Sequence, residues 1–209
     1  GLHRSVFIEA RSMVHVADVQ VDADLRVADG TGLLKVRTDV GFIRTPAKGW
    51  QVRSWLERLD GKRVTKPSTG DVPHAFDIPY VFTGHHVDAI WEIPNVAPWS
   101  AESPTRYRVV VELLKPDGTV AQQTSQLVGF RHVEVRDRQF LVNGQPIWVF
   151  GVNRHDHHPD KGKAVSVDDM RADLEVMRRH NITAIRTSHY PNDSRFYDLC
   201  DELGMYVID

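Results

Sequence analysis

The chain has 209 residues, of which 26% are charged and 41% hydrophobic, and its formal net charge at pH 7 is −2 with neutral histidines. A chain of this length can hold one or two domains and bury a substantial core. Its near-neutral balance gives no reason to expect nucleic acid or an anionic membrane as a partner, and no apolar run approaches the roughly 20 residues needed to cross a bilayer.

The single cysteine and the two chain ends further restrict the interpretation of the sequence. Cys200 cannot form an internal disulfide and lies in a predicted helix, so we interpret it as a buried structural thiol rather than a nucleophile. The chain starts at Gly1 without a methionine and stops at Asp209 after an apolar run, so we expect an excerpt of a longer protein. The absence of a signal peptide says little in an excerpt, and our expectation for the parent is a cytoplasmic location.

From Ser5 to about Val128 the pattern is all-β. Every second residue is apolar in two runs, Val19, Val21, Ala23, Leu25 and Tyr107, Val109, Val111, Leu113. Such alternation is typical of strands with one buried face. The dipeptides Asp29-Gly30, Asp60-Gly61 and Asp117-Gly118 mark hairpin turns between strands. Short strands at this spacing predict an immunoglobulin-like sandwich over residues 11–129, without the antibody-type disulfide.

Two features of this all-β region allow alternative interpretations. Pro67 to His86 shows no sustained period and is long for a hairpin loop, so it is either a contact loop or an ordinary insertion. For Trp99, we favour a packing role over a platform for a sugar ring.

A change of pattern follows Gly129, where we place a domain boundary. A short hairpin leads into alternating strands and helices, predicted as strand Ile147–Phe150, helix Ser166–His180, strand Ile182–Ile185, helix Asp193–Leu203 and strand Met205–Ile208. Three parallel strands with two helices are the opening of a (β/α) barrel or of a doubly wound sheet. Three strands alone leave an exposed edge, so residues 130–209 look unfinished.

Two histidine-bearing segments follow the predicted strands. His155 and His157 form a His-x-His pair that could hold a divalent metal, which suggests a metal-dependent hydrolase. Alternatively, His155 and His189 lie at the ends of adjacent strands and hydrogen-bond the hydroxyls of a polar substrate, with Arg154 and Arg186 beside them. A third hypothesis makes the sandwich a non-enzymatic binding or spacer module.

These segments resemble glycoside hydrolase family 2, and specifically its large bacterial β-galactosidases. The match runs from Gly151 to Pro159, where only Asp156 departs from the commoner glutamate, and from Arg186 through Met205–Ile208. Thr183 stands where the family pattern usually has asparagine. Upstream, Gly1-Leu2-His3-Arg4 resembles the end of a preceding jelly-roll domain, assigned here to residues 1–10. Trp99-Ser100-Ala101-Glu102, Tyr107 and Gly129-Phe130-Arg131 resemble the immunoglobulin-like second domain.

The resemblance implies a fold and a set of roles. The expected fold is an immunoglobulin-like sandwich followed by the first β/α units of a TIM barrel, and the enzyme would be a retaining β-galactosidase with two catalytic glutamates beyond Asp209. His155 and His189 would contact galactosyl hydroxyls, and Arg186 would help to hold the nucleophilic carboxylate. His157 and His158 would support the loop. The resemblance also implies a homo-oligomeric parent that uses Mg²⁺ and Na⁺ with ligands outside this segment, and a 67–86 loop that reaches a neighbouring subunit.

This assignment predicts that the isolated 209-residue polypeptide has no glycosidase activity. A retaining mechanism needs both carboxylates, so losing either removes the covalent route. Turnover of a nitrophenyl galactoside by the purified polypeptide is the measurement. A rate well above blank, with contaminating enzyme excluded, contradicts the prediction.

Overall fold

The computed structural model describes residues 4–44, 47–74 and 84–209. By its contacts the chain divides into two units. The sandwich unit comprises Glu9–Ala97 and Arg106–Phe130; the barrel unit comprises the described residues of Gly1–Ile8 together with Pro98–Thr105 and Arg131–Asp209. The domain boundaries predicted from the sequence stay predictions. Across the described ranges, the structure contains no helix that is both long and apolar enough to cross a membrane.

The sandwich unit contains seven described strands. They are β1 Val14–Arg26, β2 Thr31–Phe42, β3 Gln51–Arg58, β4 Ser68–Asp71, β5 His86–Ile93, β6 Tyr107–Leu114 and β7 Val120–Val128. One sheet has the order β1-β2-β5 and the other the order β4-β3-β6-β7, and every pairing is antiparallel. Both sheets contribute to one core, whose fully buried side chains include Leu34, Leu56, Val109, Val111, Leu113 and Phe130.

The predicted alternation and turns explain these strands. In β2 the buried Leu34, Val36 and Val40 alternate with outward-facing residues, because successive side chains of a strand point to opposite faces. Gly30 and Gly118 adopt positive φ values of 71° and 81° in the β1–β2 and β6–β7 turns. The predictions of an all-β region and of glycine turns at these positions are therefore confirmed.

The segment from Pro67 to His86 is only partly a loop. Strand β4 lies inside this segment and pairs with β3, although the segment shows no sustained period in the sequence. A four-residue strand is too short to establish a period, and its pairing with a distant strand is not visible locally. Residues 75–83, on which the contact-loop hypothesis depends, lie outside the described residues, as do residues 1–3 of the N-terminal motif.

The barrel unit begins with a small antiparallel sheet and continues as alternating strands and helices. The strands of the small sheet are β8 Val133–Arg136, β9 Gln139–Val142 and β10 Gln145–Pro146. They are followed by β11 Gly151–Arg154, α1 Val167–Arg179, β12 Ala184–Thr187, α2 Ser194–Leu203 and β13 Tyr206–Ile208. Strands β11, β12 and β13 form a parallel sheet in sequential order, as expected for the opening of a (β/α) barrel.

The predicted strand Ile147–Phe150 is wrong. Those four residues form no strand, Trp148 is 80% exposed and Phe150 is 63% exposed, whereas β11 starts at Gly151. The ladder begins where a partner is present, since the Phe150 carbonyl accepts the backbone N–H of Ala184 at 3.0 Å. Gly151 permits this close approach, because a Cβ there would lie 2.9 Å from the Ala184 oxygen. For the same reason β12 starts at Ala184 rather than at Ile182.

Both predicted helices are confirmed. Ser166 caps α1 through a reciprocal capping box with Asp169. Asp193 caps α2, which ends at Gly204 in the left-handed conformation. The helices cover one face of the parallel sheet, and the buried side chains between them are Met170, Leu174, Ile185, Phe196, Leu199, Cys200 and Met205.

Trp99 and Cys200 are both structural, as predicted. The Trp99 ring is buried, donates from Nε1 to the Asp201 carbonyl at 2.8 Å and meets the edge of Tyr206 at a centroid distance of 5.7 Å. Cys200 is a buried free thiol, and burial raises the pKa of that thiol to about 12. A thiol that stays protonated at neutral pH is a poor nucleophile.

Gly204→Ala is expected to destabilise the chain strongly. The residue has φ = 71°, and an added Cβ would lie 2.2 Å from the Ala101 carbonyl oxygen. Left-handed strain and a backbone clash together should cost roughly 2–4 kcal/mol. Gly162→Ala is the matched control, since its φ is 59° but nothing lies within 4 Å of its Cβ position. That variant should lose only about 1 kcal/mol of unfolding free energy. Thermal unfolding of both variants is the measurement, and equal losses would contradict the clash argument.

Candidate active site

The carboxyl ends of β11 and β12 bring the two predicted histidines together. His155 directly follows β11, and His189 follows β12 after Ser188. Their exposed rings lie with centroids 6.1 Å apart and planes at 82°. The Tyr190 ring is 5.8 Å from that of His155. The structure thus presents two imidazoles and a phenol side by side at the strand ends, where α/β barrels hold their active sites.

A buried polar network lies directly behind the histidines. Arg154 is 4% exposed and Asp156 is 3% exposed, and Arg154 Nη1 donates to Asp156 Oδ1 at 2.5 Å. The same guanidinium donates to Asn192 Oδ1 at 2.7 Å and to Asp173 Oδ2 at 3.1 Å. It also lies 4.3 Å from the centroid of the Phe196 ring. A buried cation is thereby paired, hydrogen-bonded and stacked.

The loop from β12 to α2 is joined to β11 by hydrogen bonds. Ser188 N–H donates to the Arg154 carbonyl at 3.0 Å, and Asp156 N–H donates to Tyr190 Oη at 3.1 Å. Asn192 Nδ2 donates to the Tyr190 carbonyl at 3.3 Å, which continues the network from Arg154. The segments that carry His155 and His189 are therefore held together by backbone and side-chain contacts.

Arg186 lies on the opposite face of the sheet from the helices. In the ladder it stands level with Asn153 of β11 and Ile208 of β13, and all three residues are exposed. They line an open concavity with Gly151. This face is the one that would point into a closed barrel. The role of Arg186 in holding a carboxylate stays a prediction.

His157 and His158 occupy different environments. His157 is exposed, whereas His158 Nδ1 accepts the backbone N–H groups of Asp160 and Lys161 at 3.1 and 3.3 Å. These hydrogen bonds join His158 to its own loop, and the loop-supporting role expected for His157 and His158 stays a prediction. Among the described residues, the structure contains no group of three or more His, Cys, Asp or Glu side chains that could hold a metal ion.

The carboxylate of Asp193 is held ionised at the start of α2. The hydrogen-bonded Arg195 guanidinium lowers the pKa of Asp193, and partial burial opposes that shift. A further salt bridge joins Asp193 Oδ2 to Arg4 Nη1 at 3.1 Å. Because α2 begins here, the negative charge also interacts favourably with the helix dipole.

Sequence reasoning missed four members of this site. Asp156 appeared only as a departure from a motif, and Tyr190, Asn192 and Arg4 received no role. Tyr190 and Asn192 lie in the same segment as His189, so their proximity could have been inferred. Arg4 Nη2 meets Asp156 Oδ2 at 3.0 Å across 152 residues of sequence, and no local pattern predicts that contact.

Comparison with known proteins agrees with this architecture. The model of the glycosyl hydrolases family 2 matches residues 14–131, and that of the glycosyl hydrolases family 2, TIM barrel domain, matches residues 133–209. The fold is accordingly a family 2 β-sandwich domain followed by the start of a TIM barrel, as the sequence predicted. The chain belongs to glycosyl hydrolases family 2, a family of glycosidases.

Individual relatives cover the whole chain. It is 50% identical over 212 residues to a β-galactosidase of Pseudoalteromonas haloplanktis and 36% identical over 214 residues to the β-galactosidase BgaC of Bifidobacterium adolescentis. Both matches cover 100% of this chain, and the chain spans about a fifth of the length of these relatives, 20% and 19%. A solved structure of Bifidobacterium dentium β-glucuronidase is similar over 94% of this chain and 30% of that one, with a TM-score of 0.80 and 25% identity.

Asp193→Asn is expected to make stability less dependent on pH. Since the pKa of Asp193 is lowered by folding, its contribution is complete above about pH 4 and is lost as the pH falls through the lowered value. Asparagine keeps the helix cap but not the charge. The variant should be less stable at pH 7 by roughly 1 kcal/mol.

Thermal unfolding between pH 7 and pH 3 measures this effect. The difference from the wild-type chain should narrow on the acid side. Asp193→Ala is the comparison, since it loses the cap as well and should remain less stable at both pH values. A constant difference for Asp193→Asn would contradict the assignment to charge.

Proposed function

We propose that the chain is part of a retaining β-galactosidase that hydrolyses terminal β-D-galactosyl residues. Relatives named β-galactosidase match the whole of this chain at up to 50% identity, which supports the substrate class. Membership of glycosyl hydrolases family 2 supports the reaction class. The pairing of exposed His155 and His189 at adjacent strand ends, 6.1 Å apart, is the observation that carries the proposal to particular residues.

The histidines are assigned to substrate binding. An imidazole can both donate and accept a hydrogen bond, and two of them side by side match the vicinal hydroxyls of a pyranose ring. Contacts of this kind accelerate the reaction where they strengthen as the sugar ring distorts towards the oxocarbenium-like transition state. The exposed rings leave room for a sugar, and the buried network behind them limits their movement.

The chemical step is assigned to two glutamates on later barrel strands. In a retaining glycosidase one carboxylate is the nucleophile and the other the general acid and base, with about 5–5.5 Å between them. Arg186, on the face that would point into the barrel, is assigned to hold the nucleophile ionised by a charge-assisted hydrogen bond. We assign any Mg²⁺ or Na⁺ of the parent to residues outside this chain, as the family resemblance implies.

A β-glucuronidase is the second candidate, because the similar solved structures include enzymes of that name. Their identity to this chain is 25%, below that of the relatives named β-galactosidase. A glucuronide differs from a galactoside by a carboxylate, which needs a cationic partner. A direct comparison of a galactoside and a glucuronide as substrates therefore distinguishes the two candidate functions.

The test uses the full natural protein that contains this chain, with nitrophenyl β-D-galactoside and β-D-glucuronide as substrates. We expect turnover of the galactoside with a far higher kcat/KM. His155→Ala and His189→Ala should each lower kcat/KM by roughly 10- to 100-fold, because each removes hydrogen bonds to a substrate hydroxyl. Preference for the glucuronide would overturn the substrate assignment.

His157→Ala is the matched control, since it removes an exposed imidazole from the same loop. Its kcat/KM should stay within about threefold of wild type. A loss equal to that of His155→Ala, with activity restored by added Zn²⁺, would instead support the His-x-His metal pair.

A further inference from the structure

Asp156 is a carboxylate buried directly beneath an exposed binding face. Its Oδ1 accepts from Arg154 Nη1 at 2.5 Å. Its Oδ2 accepts from Arg4 Nη2 at 3.0 Å and from the backbone N–H of Asp193 at 3.1 Å. Each oxygen therefore accepts from a guanidinium group, and Oδ2 also accepts from the backbone N–H of the residue that caps α2. These donors are a full set of partners for a buried anion.

These contacts join three segments of the barrel unit that are distant in sequence. Arg154 ends strand β11, Asp193 caps helix α2, and Arg4 belongs to the N-terminal segment. The carboxylate is the group on which all three converge. Its removal would leave two guanidinium groups without their common anion, and each segment would lose a contact to the others.

His155 stands between the two most tightly held residues of this network. Arg154 precedes it and Asp156 follows it; both are more than nine-tenths buried, while the His155 side chain is exposed. The Asp156 N–H is in turn fixed to Tyr190 Oη. The only ring contacts of His155 among the described residues are with His189 and Tyr190. The orientation of its ring therefore depends on the backbone that Asp156 anchors.

We propose that Asp156 is a positioning residue: its buried carboxylate sets His155 against His189 and couples the N-terminal segment, through Arg4, to the substrate-binding face. This inference rests on the proposed function for its effect on catalysis. A misplacement on the order of 1 Å can reduce a rate by about 10²-fold, so a carboxylate that touches no substrate can still control turnover.

The length of the side chain matters in the same way. Asp156 is in contact with three donors in a space with almost no exposed surface. Glutamate at this position keeps the charge but adds a methylene that must displace Arg4 or the start of α2. The charge matters more than the length, because two guanidinium groups donate to this carboxylate. Asp156→Glu should lose some activity but retain more than Asp156→Asn, which keeps the size and removes the charge.

A double-mutant cycle in the full natural protein tests the proposal. Asp156→Asn should lower kcat/KM on nitrophenyl β-D-galactoside by about 10- to 100-fold in the wild-type background. In a His155→Ala background the same change should cost less than about threefold, because the group that Asp156 positions is already gone. Additive losses would show a general structural role and would overturn the proposal, as would full activity of Asp156→Asn.

Two further variants keep the test decisive. Arg4→Gln removes one donor to Asp156 from a partly exposed position, so it replaces Asp156→Asn in the test if that variant fails to fold. It should lower kcat/KM less than Asp156→Asn does, and this loss should also vanish in the His155→Ala background. Arg171→Gln is the control, since it breaks a surface ion pair to Glu202 at 2.9 Å and should leave kcat/KM unchanged. Arg4→Gln losses that persist in the His155→Ala background would overturn the coupling.

A measurement without substrate separates this inference from the proposed function. Amide hydrogen exchange, read by mass spectrometry, should accelerate in Asp156→Asn over residues 153–160 and 187–193, with helix α1 unchanged. If the wild-type protein lacks galactosidase activity, the proposed function fails, and this exchange result still decides whether Asp156 holds the two loops. Unchanged exchange in both segments would overturn the positioning role.

Discussion

The barrel unit depends on one buried ion pair, between Arg154 and Asp156. Placing both charges out of water costs several kcal/mol for each ion, and their attraction offsets that cost only when the remaining donors and acceptors are satisfied. Here Asn192, Asp173, Arg4 and the Asp193 N–H supply most of those partners, and Arg154 Nη2, which makes no hydrogen bond among the described residues, lies 3.0 Å from the Asp173 carboxylate. Apolar residues could stabilise such a site as well, but they would not fix the register of a strand end, a helix start and a distant segment.

Local features of this fold and the hairpins between consecutive strands could be predicted from the sequence, but the exact residues at which distant strands begin to pair could not. The caps of α1 and α2 depend on Ser166, Asp193 and Gly204, which act within a few residues, so the helix bounds were nearly correct. The predicted strand Ile147–Phe150 failed because an apolar run does not show which of its residues meets a partner; Gly151, opposite Ala184, decides where the ladder starts. Short strand β4 was missed for the same reason.

Some residues of the candidate site could likewise be predicted from the sequence, and others could not. His155 and His189 could be found because motif and strand end coincide in the sequence, and Arg186 because it stands in the same motif. The burial of Asp156 could not, since it results from contacts with residues 4, 154 and 193 that fold together only in three dimensions. A motif identifies the side chains that face a substrate more readily than the ones that hold them in place.

That difference bears on how recognition and rigidity are combined in this site. The imidazoles must stay exposed to meet a sugar, so packing around their own rings cannot hold them. Their order has to come from the backbone, and the backbone here is held by the neighbouring side chains of Arg154 and Asp156, which are buried. Arg154 and Asp156 carry their charges into the buried network, whereas His155 between them is exposed. A polar anchor is better suited to this task than an apolar one, because hydrogen bonds specify direction as well as distance.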